Sequence, residues 1–252
     1  MMTGRHTVPR LLTAALLTLA GCGAALAQFD PALVPVFSIW DIKIGEPVSQ
    51  IPDMEVVDIA CGTNGGPPAQ AIGSFVNFAR CPAEATGLRE VYFANDDEID
   101  YIAKALENEY KVLQGGTSIY AHPVVVSVLV DEGGVVRGIR VVTDERASQR
   151  ERRVAVTLAR NLKGRYSSWE PACEDIALQP GENRVGNQFE HEVCTAQSAK
   201  FGQRMRLEAS YLRKKGQEAL NTETQKINPG YFQSQTRLEV VEIPYEPAAP
   251  PA

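Results

Sequence analysis

Histidine is scarce in this chain, with three in 252 residues. One, His6, precedes an apolar leader, so His122 and His191 are the remaining general-base candidates. His122 stands before Pro123 at the start of a β-rich run, where a surface or capping role suits it. His191 lies in Glu190-His191-Glu192, and strand alternation sets it opposite both carboxylates, too few convergent ligands for a metal. Ser74 and Ser234 lack the context of a nucleophile elbow. Asp96, Asp97, Glu98 and Asp100 do not follow EF-hand spacing, and acidic residues at a helix start are explained by the helix dipole. The sequence therefore assigns no catalytic residue, no metal and no cofactor. A long apolar run is also missing. Leu11 to Ala20 falls short of the roughly 20 residues that span a bilayer.

That leader is informative nevertheless. Arg5 and Arg10, a short apolar core and a small-residue exit form a secretory signal peptide. Two exits are present. Leu19-Ala20-Gly21-Cys22 resembles the lipobox of bacterial lipoproteins, which implies a signal over residues 1–21 and lipid attachment at Cys22. Ala25-Leu26-Ala27 is an A-x-A site that would end the signal at residue 27 and release a soluble chain beginning at Gln28. Each acyl CH₂ buried adds about 0.8 kcal/mol, so multiple chains on Cys22 would anchor durably. The expected location is the bacterial periplasm, membrane-anchored through Cys22, with a soluble periplasmic or secreted protein as the alternative.

Composition is that of a globular domain: 44% hydrophobic and 22% charged residues allow a core and exclude disorder. The formal charge is −6. From Gly23 to Glu145 there are 18 acidic and 7 basic residues; from Arg146 to Ala252 there are 13 and 16. The acidic excess argues against nucleic acid as a partner.

Taken in order, residues 28–36, with Pro31 and Pro35, read as a tether. Phe37 to Ile44 alternates like a strand, with Ser38, Trp40, Ile42 and Ile44 as the buried side. Glu55–Cys61, Ile72–Cys81 and Leu88–Ala94 read as further strands. Asn95 and Glu98 form a capping box for a helix whose stripe is Ile99, Ile102, Ala103, Leu106, Tyr110 and Leu113, ended by Gly115-Gly116. Pro123–Val130 and Val135–Thr143 predict a hairpin around Asp131-Glu132-Gly133-Gly134. The first strand is apolar enough to be covered on both faces. A second helix is expected from Asp144 to about Leu162, packing through Val154, Ala155, Leu158, Ala159 and Leu162. Arg204–Arg213 alternates, with Met205, Leu207, Ala209 and Tyr211 inward. Phe232–Ile243 closes the fold, and 244–252 reads as a flexible Pro/Ala tail.

Five cysteines become four once Cys22 is lipidated or removed. Three pairings are open to the four. The sequential one, Cys61–Cys81 and Cys173–Cys194, is favoured because a meander closes Cys61 on Cys81 and the two intervals are nearly equal. The fold class expected is α+β: antiparallel sheet with two main helices, read either as a tandem of helix-plus-meander units (37–144 and 145–243) or as one continuous domain. In layout this resembles the helix-plus-meander modules of envelope lipoproteins and of β-lactamase-inhibitor-type proteins.

Two surfaces remain as candidates. Gly62, Thr63, Asn64, Gly65 and Gly66 form a loop whose N–H groups could cradle an anion, though without G-x-G-x-x-G or the lysine and hydroxyl of a P-loop. It is a candidate recognition loop. Arg146, Arg150, Arg153 and Arg160 give the second helix a basic skin suited to anionic lipid or an acidic envelope partner. The functional expectation is a non-catalytic exported envelope protein, a lipoprotein with a binding or assembly role. The alternatives are a periplasmic hydrolase with an unrecognised site and a soluble secreted ligand-binding or inhibitor protein.

Overall fold

The computed structural model describes residues 37–95, 117–120, 122–146, 155–215, 217, 224–225 and 232–250. The signal region with Cys22, the tether, the whole of the helix expected after Asn95, and Arg150, Arg153 and Val154 lie outside them. The architecture is sheet-dominated α+β. Its strands are β1 (Val57–Cys61), β2 (Arg89–Ala94), β3 (Thr117–Ile119), β4 (His122–Val130) and β5 (Val136–Thr143), then β6 (Ala172–Asp175), β7 (Glu190–Ser198), β8 (Gln203–Leu212) and β9 (Gln233–Glu242). They form a nine-stranded sheet in the order β1-β2-β4-β5-β9-β8-β7-β6, with β3 beside β4. Every pairing is antiparallel.

Two meanders meet where β5 pairs with β9, in the register Ile139 to Val240 and Val141 to Leu238. The sheet is therefore continuous across residue 144. It ends at β1 on one side and β6 on the other, and each outer strand carries a disulfide: Cys61–Cys81 and Cys173–Cys194, the sequential pairing. Closing loops of this size contributes roughly 3 kcal/mol each in the chain-entropy model.

Alternation along each strand divides the sheet into two faces. The apolar face carries Val91, Phe93, Val126, Val128, Ile139, Val141, Met205, Leu207, Leu238 and Val240. Helix α1 (Thr157–Arg165) covers part of it through Leu158, Ala159 and Leu162, all buried. These three, with buried Ala155, belong to the expected stripe. Short 3-10 turns at Ile39–Asp41, Val48–Gln50 and Phe75–Arg80 add Ile39, Val48 and Phe75 to the same core. The Arg165 guanidinium lies 3.8 Å from the centre of the Trp40 ring, joining α1 to the first of these turns.

Three sequence expectations are corrected. Phe37–Ile44 is not a strand: Ser38 and Asp41 form a reciprocal capping box that winds Ile39–Asp41 into a 3-10 turn. Its buried residues are Phe37 and Ile39, the set opposite to the one alternation selected. Ile72–Cys81 is also not a strand, because the Ser74 hydroxyl accepts from Val76 N–H and starts the 3-10 turn Phe75–Arg80. Asp144 does not cap α1; it is buried and engaged by the Arg146 guanidinium at 2.7 Å. Residues 244–250, read from composition as a loose tail, run back over the second face. There Ala248 N–H donates to Glu239 Oε2 at 2.8 Å and Ala249 C=O accepts from Asn64 Nδ2 at 2.9 Å.

Candidate functional site

The second face of the central strands is charged and buried. Strand parity places Glu90 (β2), Ser127 (β4), Arg140 (β5), and Arg237 and Glu239 (β9) on it together. Arg140 faces Ser127 on one neighbour and Glu239 on the other. Arg140 is fully buried, and Glu90, Glu239 and Arg237 are at most 5% exposed. Three carboxylates converge on Arg140. Glu84 accepts from Nη1 at 2.6 Å and Nη2 at 2.9 Å, Glu90 Oε2 lies 2.8 Å from Nη1, and Glu239 Oε1 accepts from Nε at 2.8 Å. Arg237 Nη2 donates to the same oxygen, Glu239 Oε1.

The loop after β1 closes the network from above. Asn64 N–H donates to Glu90 Oε2, and Gly65 N–H to Glu90 Oε1 at 3.1 Å. In return, Asn64 C=O accepts from Arg237 Nη1 at 2.8 Å. The Gly62–Gly66 loop thus cradles an anion, and that anion is this chain's own Glu90. Two of its glycines are required by space. A Cβ at Gly62 would lie 2.3 Å from the Glu90 side chain; one at Gly65, where φ is +83°, would lie 2.5 Å from Val142 Cγ2. Thr63 steadies the loop by donating from its hydroxyl to Pro67 C=O at 2.8 Å.

With Ala248 N–H on Glu239 Oε2, every oxygen of Glu84, Glu90 and Glu239 has a donor. Burial is the main influence on Glu90 and raises its pKa, partly offset by the Arg140 charge. Burial likewise opposes the charge on Arg140, yet the surrounding carboxylates prevail and hold it cationic. Burial lowers the pKa of Arg237. Chemically, the centre is an ion network of three carboxylates and two guanidiniums, its carboxylate oxygens all satisfied from within the chain.

The charged pattern continues along β8. Burial would raise the Glu208 pKa, but Arg206 and His191 lower it on balance. His191 Nε2 is 3.1 Å from Glu208 Oε1, and His191 pairs directly across the strands with Ser210. Ser210 Oγ accepts from Gln233 Nε2 at 2.9 Å. His122, the first residue of β4, lies 3.1 Å from the Thr157 hydroxyl, and burial lowers its pKa. Arg146 is committed to Asp144, whereas Arg160 is exposed on α1. Cys173, Glu192 and Cys194 cluster closely, but the two sulfurs are bonded to each other, so they are not metal ligands in this state.

Two open grooves flank the C-terminal end. One, about 580 Å³, lies between Glu84–Thr86 and residues 244–249. The other, about 570 Å³, lies between Glu246-Pro247 and Trp169, with Gln197, Arg204 and Arg206 along it. Residues 245–247 form a ridge between them. Glu246 bonds Arg204 across the second groove, and Tyr245 packs on Leu88, Leu129 and Val241.

The sequence signal of the network is a charge set among apolar strand residues: Glu90 in Leu88–Ala94, Arg140 in Val136–Thr143, Glu239 in Arg237–Val241. These features define a disulfide-stapled antiparallel α+β domain. Compared with known protein families, curated proteins and solved structures, the chain matches none of them. Among the described residues, no helix is long and apolar enough to cross a membrane.

Proposed function

We propose that this protein is a non-catalytic exported envelope lipoprotein, anchored through Cys22, with a binding or assembly role in the periplasm. The supporting observation is the pairing of a self-satisfied charge network with a fixed ridge. The polar centre serves to hold residues 244–249 in place, and the ridge presents an open groove on each side. A surface of this kind suits an envelope protein as partner; an anionic lipid surface is the second candidate, through the basic skin around Arg160. The two disulfides accord with an oxidising, exported compartment. The meanders β1–β5 and β6–β9, each with one staple, are the pieces a tandem origin would leave.

Two measurements test this reading. The intact mass of protein purified from its native envelope should show an acylated chain beginning at Cys22; an unmodified chain beginning at Gln28 points to the soluble alternative. Photo-crosslinkers at Ala85 and Gln197, one on each groove wall, should capture the same envelope protein, whereas one at Arg160 should not. Hydrolytic turnover lost in His191→Gln would replace the proposal with the hydrolase reading, for which the His191–Glu208 pair opposite Ser210 is the supporting geometry.

A further inference from the structure

The two staples differ in access. Cys61 and Cys81 are 2% and 1% exposed. Cys173 is exposed on outer strand β6, which is solvent-exposed along all four residues, while its partner Cys194 is 1% exposed. The neighbourhood differs too. A carboxylate oxygen of Glu192 and both sulfurs lie within 4.8 Å of one another, and Lys163 Nζ from α1 holds that carboxylate at 2.6 Å.

We propose that Cys173–Cys194 is a thiol–disulfide exchange site, with Glu192 and Lys163 as its positioning pair, while Cys61–Cys81 is a permanent staple. The co-reactant is a dithiol reductant. Its thiolate attacks Cys173 Sγ, the S–S bond breaks, and the electron pair leaves on Cys194 Sγ, which takes a proton from solvent. The reductant's second thiolate then attacks its own sulfur in the mixed disulfide, freeing Cys173 as a thiol after a second protonation. Two electrons pass to the protein and the dithiol becomes a disulfide. Exchange is faster from a leaving thiol of lower pKa. The Glu192 carboxylate opposes the negative charge that builds on the departing sulfur, and the Lys163 ammonium offsets the effect. Opening the bond leaves β6 held to β7 only by its short ladder.

The test uses the full chain under native conditions with dithiothreitol as the dithiol, acid quenching, alkylation and peptide mass analysis. Cys173 and Cys194 should become labelled at least tenfold faster than Cys61 and Cys81. Glu192→Gln should accelerate their opening several-fold, and Lys163→Met should slow it several-fold. Hydrogen exchange should then rise at residues 172–175 and remain unchanged in β2. Equal rates for the two disulfides, or opening only as fast as global unfolding, would overturn the proposal. So would selectivity that ignores both substitutions, since bare accessibility would then explain it.

Discussion

One face of the sheet buries Val126, Val128, Val141 and Leu238, and helix α1 packs on it over β8 and β9. The opposite face of the same strands buries Glu90, Arg140 and Glu239 beneath a glycine-rich loop and the C-terminal ridge. The difference in cover follows from backbone chemistry. Beyond its first turn a helix spends its N–H groups within itself, so the side of a helix can cover an apolar surface but offers none to a buried carboxylate. An irregular loop and a proline-rich strap keep free N–H groups, and Asn64, Gly65 and Ala248 aim theirs at Glu90 and Glu239. Hydrophobic burial is also tolerant of small shifts, whereas an ion network needs each partner in place.

The largest effect expected comes from breaking the charged face at its centre. Arg140→Met leaves Glu84, Glu90 and Glu239 facing one another without their shared cation, and should cost about 3–5 kcal/mol in urea unfolding at pH 7. Adding Glu90→Gln and Glu239→Gln should recover part of that loss. A triple variant no more stable than Arg140→Met would mean that lost packing, not unpaired charge, sets the cost. On the apolar face, Leu158→Ala removes a fully buried side chain from α1 and should cost about 3 kcal/mol. That loss should be the same at pH 5 and pH 8, whereas the Arg140→Met loss should change with pH as its carboxylates take up protons.

Gly65→Ala probes the cover rather than the network. Its Cβ would press on Val142 in a backbone conformation that side-chain-bearing residues rarely adopt, at a cost of about 1–3 kcal/mol. Because the same loop holds Ala249, residues 244–250 should gain protease sensitivity in this variant. Unchanged proteolysis would separate the loop from the ridge.

Two glutamates of the charged face should respond to pH with opposite signs. The native pKa of Glu90 is raised above 4.5, so the folded state binds its proton more readily than the unfolded state does. This contribution declines as pH climbs from about 4.5 through the native value. The native pKa of Glu208 is lowered below 4.5, so its contribution is present above 4.5 and lost as pH falls through the native value. Relative to wild type, Glu90→Gln should alter the stability profile above pH 4.5 and Glu208→Gln below it. Urea midpoints across pH 3 to 7 would show both, and changes in the same window would refute the opposition.

The apolar face was largely legible in the sequence because a period of two or of 3.6 writes itself into local composition. Met205, Leu207 and Ala209 and the stripe Leu158, Ala159 and Leu162 follow from spacing alone. The 3-10 turns misled because Ser38 and Ser74 accept backbone N–H groups and override an alternating or apolar run. The charged centre was illegible for a different reason. Glu90, Arg140 and Glu239 become neighbours only through pairing between strands separated by 99 residues in one case. The composition of the glycine loop marks it as an anion cradle, but only its position over β2 identifies the anion.

The smallest stability effect belongs to a residue on neither buried face. Arg160 is exposed on α1, so Arg160→Glu should shift stability by less than about 0.5 kcal/mol. Its value is as a probe of the basic skin, since reversing one charge there leaves the sheet and both grooves untouched. Co-sedimentation of the full chain with vesicles containing anionic lipid should weaken in the variant, and more so at low ionic strength, where the Debye length is longer. Unchanged co-sedimentation would assign these arginines to solvation and leave the grooved ridge as the surface through which the domain meets a partner.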